Sequence, residues 1–197
     1  MKVVGIVALA NFPYWKMCME KLREQVDEIY VRVDIGKENK LEELMDSKLA
    51  DKVMTSSVEW NRYNWRNELL TMIDSADIVL TPDQDEIFED TIKEELIRFY
   101  NSSAQTFVCD FVTPMPTNDG RIIPELNGKA YPSTPHCMGF KWKPSVTYFP
   151  YEGLCFPTGY NQLPRFAAKT KVAHYCMWTK ELEEEKKQWV LNEYGIF

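Results

Sequence analysis

The chain is 197 residues long, 45% hydrophobic and 13% aromatic, with a formal net charge of −7. This length and apolar content describe a globular domain that buries most of its unfolded-state surface, and no apolar run approaches the ~20 residues needed to span a bilayer. The acidic balance argues against a general nucleic-acid binder.

The start, "MKVVGIVALANFPYW", reads as a buried first strand rather than a leader, because no small-residue cleavage site follows its apolar run. Within it, "VVGIVAL" (3–9) is short, β-rich and continuously apolar, as a parallel strand covered on both faces should be. Pro13 suits a first helical turn, and Trp15, Cys18, Met19, Leu22 and Val26 then recur at helical spacing. "EIYVRVD" (28–34) is a second strand. Leu41, Leu44, Met45 and Leu49 mark a second helix, "KVMTSS" (52–57) a third strand, and 60–74 a third helix. "DIVLTPD" (77–83) is the fourth strand. Thr91-x-x-Glu94 reads as a capping box, followed by Ile92, Leu96, Phe99 and Tyr100 on one helix face.

This βαβαβαβα order predicts an α/β fold: a mostly parallel sheet with helices on both faces, and right-handed crossovers that bring the strand ends to one edge. Ligands bind at that edge in open α/β sheets. The strand ends are Ala8–Asn11, Asp34, Ser56–Ser57 and Asp83–Glu86.

The second half differs in texture. Nine of the eleven prolines lie between 114 and 164. "TFVCDFVTPM" (106–115) and "MGFKWKP" (138–144) read as strands, separated and followed by aromatic-rich loops. Trp178, Leu182 and Trp189 mark a closing helix. We expect one domain over 1–197, with a nucleotide-binding half (1–104) and an acceptor half plus C-terminal helix (105–197). Residues 121–171 carry seven Lys or Arg against Glu125 and Glu152, so an otherwise acidic chain has a basic stretch able to focus an anionic ligand. The five cysteines, Cys18, Cys109, Cys137, Cys155 and Cys176, form no CxxC pair. Their odd number predicts buried thiols in a reducing, cytoplasmic setting rather than disulfides or a zinc finger.

The stretch "TPDQDEIF" (81–88) ends an apolar strand in three acids. Asp83 and Asp85, two residues apart, point to one side of an extended chain and repel unless a cation sits between them. Hard divalent cations take such oxygen ligands and bridge substrate phosphates. An EF-hand is excluded, because Ile87 and Phe88 occupy the positions its loop needs for a ligand and a glycine. The alternative, a helix start complementing the dipole, suits Glu89 and Asp90 better than the earlier acids.

The ordered set "WRNELLTMIDSADIVLTPDQDEIF" resembles the core of family 2-type glycosyltransferases of the GT-A (Rossmann-like) fold. There an Arg-Asn pair opens a helix, an acidic turn follows, and a strand ends in Asp-x-Asp-Glu. "GFKWKP", "PYEGL" and "VAHYCMW" resemble later segments of small bacterial and viral members. Tyr151 stands where those members have His, and their Gln/Arg-x-x-Arg-Trp signature is absent. The resemblance implies a metal-dependent transfer, inverting in outcome, from a UDP- or GDP-sugar to a hydroxyl acceptor. It implies nucleotide contacts at Ala8, Asn11, Asp34, Arg66, Asn67 and Asp83. It implies Mn²⁺ or Mg²⁺ at Asp85, with Asp83 and His174 beside it and Glu86 in support. Glu152 is the expected general base, with Asp110 as the alternative. His136, in "HCMGFKWKP", resembles a signature of a retaining class and is the second choice for the late histidine. Two rivals remain: a nucleotidyltransferase of related fold, which would carry a Gly-rich loop that "ALANFPYW" lacks, and a non-catalytic domain that binds glycan or a partner.

Overall fold

The computed structural model describes residues 1–10, 15–36, 38–57, 64–112, 136–148 and 156–174. Strand β1 (Val3–Leu9) is buried along its whole length, as its unbroken apolar run requires. Helix α1 (Trp15–Arg23) turns Trp15, Cys18, Met19 and Leu22 inward and ends in basic residues that complement its dipole. Strand β2 (Glu28–Asp34) follows, then α2 (Glu38–Ser47), β3 (Lys52–Ser56) and α3 (Asn64–Leu70). Strands β4 (Ile78–Leu80) and β5 (Glu86–Phe88) flank the acidic stretch, and α4 (Ile92–Tyr100), β6 (Thr106–Val112), β7 (His136–Lys141) and β8 (Arg165–His174) complete the elements.

All eight strands join one sheet in the order β3-β2-β1-β4-β7-β6-β8-β5, so both halves of the chain build it. Strands β3, β2, β1 and β4 are parallel, and their carboxyl ends share an edge. Beyond β4 the sheet is mixed: β7 runs antiparallel to β4 and β6, β8 parallel to β6, and β5 antiparallel to β8. One large apolar cluster covers the face holding Val7, Leu9, Trp15, Leu22, Ile92 and Phe99. A second lies on the α3 face, around Ile6, Tyr30, Trp65, Leu69 and Phe140. Gly139 is needed where β7 meets β4, because a Cβ there would stand 2.7 Å from a Leu80 methyl and 2.8 Å from the Val79 carbonyl oxygen.

Several expectations are corrected. The fourth strand stops at Leu80, and Asp83 to Glu86 form a turn rather than extended chain. Strands β5 and β8 escaped the sequence reading. Met45 and Tyr100 are 60% and 43% exposed, because the inward stripes of α2 and α4 are narrower than the apolar pattern implied. Helix α3 ends at Leu70, where the N–H groups of Thr71, Met72 and Ile73 tighten onto carbonyls three residues back. The capping box is not made: Thr91 has helical backbone angles, and its hydroxyl pairs with that of Thr170 on β8 at 3.1 Å. An N-cap needs an extended residue whose oxygen is turned to the helix's own N–H groups.

Strand β5 follows β4 within six residues yet lies four strands away in the sheet. Four inter-strand steps cover about 19 Å in a flat sheet, close to the ~20 Å that six residues reach fully stretched. The Asp83–Glu86 turn shortens that reach, so the mixed half must curl back toward β4. The Gln25 amide, donating to the Phe88 carbonyl at 3.2 Å, ties β5 to the end of α1.

Candidate functional site at the carboxyl edge of the parallel strands

The acidic turn is built tightly. The Glu86 N–H donates to the Asp83 carbonyl at 3.1 Å, and the Asp83 N–H donates to the Glu86 carboxyl at 2.7 Å. Gln84 pins the turn to the end of β1, its side-chain oxygen accepting from the Ala10 N–H at 2.8 Å. The loop after β4 therefore lies against the end of β1.

The three acids differ in environment. The Asp83 side chain is 48% exposed and that of Asp85 19%. Glu86 is buried, and that burial, reinforced by the charges of Asp83 and Asp85 and opposed by His174, pushes its carboxyl up to about 8. Its native form is thus protonated across the range where an unfolded glutamate is ionised. This sign makes its contribution to stability complete below about 4.5 and lost as pH rises toward 8, at up to about 1.4 kcal/mol per pH unit. Metal-free protein should melt several degrees lower at pH 8.5 than at pH 5.5, and Glu86→Gln should flatten that difference. Parallel melting profiles of the two proteins would refute this assignment.

Pairing of β5 with β8 sets His174 opposite Glu86, and His174 Nε2 lies 3.4 Å from an Asp85 carboxylate oxygen. Phe111 packs between the chain's two histidines, stacked on His136 at 4.1 Å and tilted against His174 at 5.2 Å. Among the described residues no three His, Cys, Asp or Glu side chains converge to cage a metal. Asp85 and His174 nevertheless offer one oxygen and one imidazole nitrogen close enough to share an ion. Mn²⁺ accepts both donor types, and Mg²⁺-like ions are usually completed by substrate phosphates. The donor set thus fits an ion held jointly with a substrate, not a protein-only cage.

Arg66, only 3% exposed, stacks on Trp65 at 4.2 Å and Tyr148 at 5.6 Å from the ring centroids, and its Nη2 reaches Asp83 at 3.2 Å. It thereby steadies Asp83 from within the fold. Asn67 clamps the Tyr148 backbone, donating to its carbonyl at 2.8 Å and accepting from its N–H at 2.7 Å. Its side chain therefore holds the segment at Tyr148 against α3. Asp34, at the end of β2, pairs with Arg32 at 3.1 Å. Arg32 is fully buried and also meets Glu68 at 2.8 Å, off the N–H axis, so this is an ion contact rather than an aligned hydrogen bond. Glu68 accepts from the Ser56 hydroxyl at 2.7 Å.

Ala8, Asp34, Asp83, Asp85 and His174 thus come to one edge. Asp110 does not join them. It is exposed, sits opposite Lys171, and is about 10 Å along β8 from His174, on the other face by strand alternation. Asn11 and Glu152, together with the expected closing helix, lie outside the described residues. Gln84, Arg32 and Glu68 were missed, although a charged residue inside "YVRVD", two places before Asp34, was a legible signal. Cys18, Cys109 and Cys137 are buried, and burial pushes the thiols of Cys18 and Cys109 up. No helix among the described residues is long and apolar enough to cross a membrane.

No protein-family model matches the chain, and no curated protein matches it in sequence. Solved structures do share its fold. HddC from Yersinia pseudotuberculosis, complexed with GMP-PN, is 12% identical over 96% of this chain and 99% of its own, with a TM-score of 0.55. The bifunctional IspDF from Campylobacter jejuni is 13% identical over 85% of this chain and 49% of its own, also at 0.55. TarS 1–349 from S. aureus is 19% identical over 64% of this chain at a TM-score of 0.47, and this chain spans 39% of its length. At these identities the matches establish a Rossmann-like α/β fold.

Proposed function

We propose that the chain is a metal-dependent glycosyltransferase that moves a sugar from a UDP- or GDP-sugar to a hydroxyl acceptor. The observation that carries this reading is His174 lying 3.4 Å from Asp85, beside an acidic turn pinned to the end of β1. A histidine and a carboxylate drawn together where α/β sheets bind ligands would supply part of an ion's shell, to which a donor's diphosphate and waters would add.

In this reading Asp85 and His174 hold Mn²⁺ or Mg²⁺, which supplies charge neutralisation of the diphosphate leaving group. Arg66 orients Asp83 toward the ribose side. Asp34 meets the nucleoside at the end of β2. Glu152 takes the acceptor's proton, since Asp110 faces away from the ion pair of ligands.

Calorimetry with Mn²⁺ and a panel of UDP, GDP, CDP and ADP tests the first half, with metal-dependent binding of UDP or GDP expected. Release of UDP or GDP from the matching nucleotide sugar tests the second. No nucleotide binding in the presence of metal would overturn the reading. Nucleotidyl transfer at the same edge is the second reading, favoured by the fold match to HddC, complexed with GMP-PN, which spans nearly all of both chains. Diphosphate release from a nucleoside triphosphate and a sugar phosphate, without turnover of a nucleotide sugar, would select it.

A further inference from the structure

Arg32 invites an explanation. A cation in the middle of an apolar strand, with no exposed surface, costs several kcal/mol to desolvate unless it is paired. A buried apolar residue at that position would pack without that cost, and Tyr30 on the same face does so. What Arg32 supplies that an apolar residue cannot is a planar cation set between the Asp34 and Glu68 carboxylates. Ser56, at the end of the neighbouring strand β3, secures Glu68 from its other side. The result is a buried chain of polar contacts ending at Asp34, whose side chain keeps 25% of its surface exposed at the ligand edge.

We propose that Arg32 is a positioning residue that aims the Asp34 carboxylate and so sets the base preference of the nucleotide site; this rests on the nucleotide-binding reading above. An ionised carboxylate only accepts hydrogen bonds. Uracil offers it the N3–H, and guanine the N1–H and 2-amino group side by side. Cytosine presents a bare acceptor at N3, which repels a carboxylate. A fixed Asp34 therefore selects bases with a ring N–H, and a loosely held one discriminates less. Arginine matters here because lysine brings charge without a planar two-partner geometry.

The test is calorimetry with Mn²⁺, comparing UDP, GDP, CDP and inorganic diphosphate on the wild-type chain, Arg32→Lys and Asp34→Asn. The wild type should prefer UDP or GDP over CDP by about ten- to a hundredfold, the range of one hydrogen bond to a charged group. Arg32→Lys should shrink that ratio by about tenfold and leave inorganic diphosphate binding unchanged. Asp34→Asn, whose amide both donates and accepts, should bring CDP level with UDP. A ratio that survives both substitutions overturns the proposal. If Arg32→Lys fails to fold, an unchanged ratio in Asp34→Asn overturns it alone. If the wild-type chain binds none of the four probes, the nucleotide reading itself fails, a result distinct from binding without base preference.

Discussion

Asp85→Ala should lower nucleotide-sugar turnover by at least about a hundredfold and remove the Mn²⁺ dependence of nucleotide binding, while leaving the melting temperature close to that of the parent. Loss of even an outer partner of a metal ligand commonly costs 10- to 100-fold, and Asp85 is assigned as a ligand itself. The expected retention of stability follows from its surroundings. Asp85 disfavours ionisation of the buried Glu86 beside it, its contact with His174 is partly exposed, and the Asp83–Glu86 turn is closed by bonds that do not involve its side chain. Metal titrations of both proteins, followed by UDP or GDP release, read the effect. Unchanged Mn²⁺ dependence in the variant would remove Asp85 from the ion's shell.

Glu68→Ala should instead act on stability, by about 2–3 kcal/mol. Breaking a buried ion pair by removing one partner typically costs 3–5 kcal/mol, because the other charge stays behind. The estimate is reduced because Asp34 remains beside Arg32 and because Glu68 is 23% exposed. For a chain of this length the melting temperature should drop by about 4–12 °C. Replacing both partners with apolar residues of similar volume, as in Arg32→Met with Glu68→Leu, should recover much of the loss. A drop below about 1 °C for Glu68→Ala would mean that the guanidinium finds full compensation elsewhere.

The parallel half was legible because its signals are local. The unbroken apolar run at 3–9 and the β-rich segment at 28–34 match β1 and β2 at both ends, and Trp15, Cys18, Met19 and Leu22 reported the buried stripe of α1. Strands β5 and β8 were not legible for a physical reason. "EIF" is three residues long, too short for any period to emerge, and its partner lies 84 or more residues away in sequence. "RFAAKTKVAH" alternates only weakly, since it is a strand whose exposed side carries alanine as well as lysine. The site divided along the same line. Asp34, Asp83 and Asp85 announce themselves as acids that follow apolar runs. Gln84, Arg32 and Glu68 act through contacts between distant segments, which no single stretch of sequence displays. The polar reach of Asn67 was legible, but its partner, the Tyr148 backbone, was not.

Three successive residues of α3 are fastened to three different parts of the molecule: Arg66 to the acidic turn, Asn67 to the backbone at Tyr148, and Glu68 to Arg32 and Ser56. Most of a short helix's stability in a folded protein comes from its tertiary contacts rather than from propensity. Its order is therefore borrowed from these anchors, and the loan is reciprocal. A ligand that stiffens either Asp34 or Asp83 would lengthen the lifetime of the whole helix. Slowed amide exchange in α3 would then be an early and label-free signature of occupancy at the strand edge.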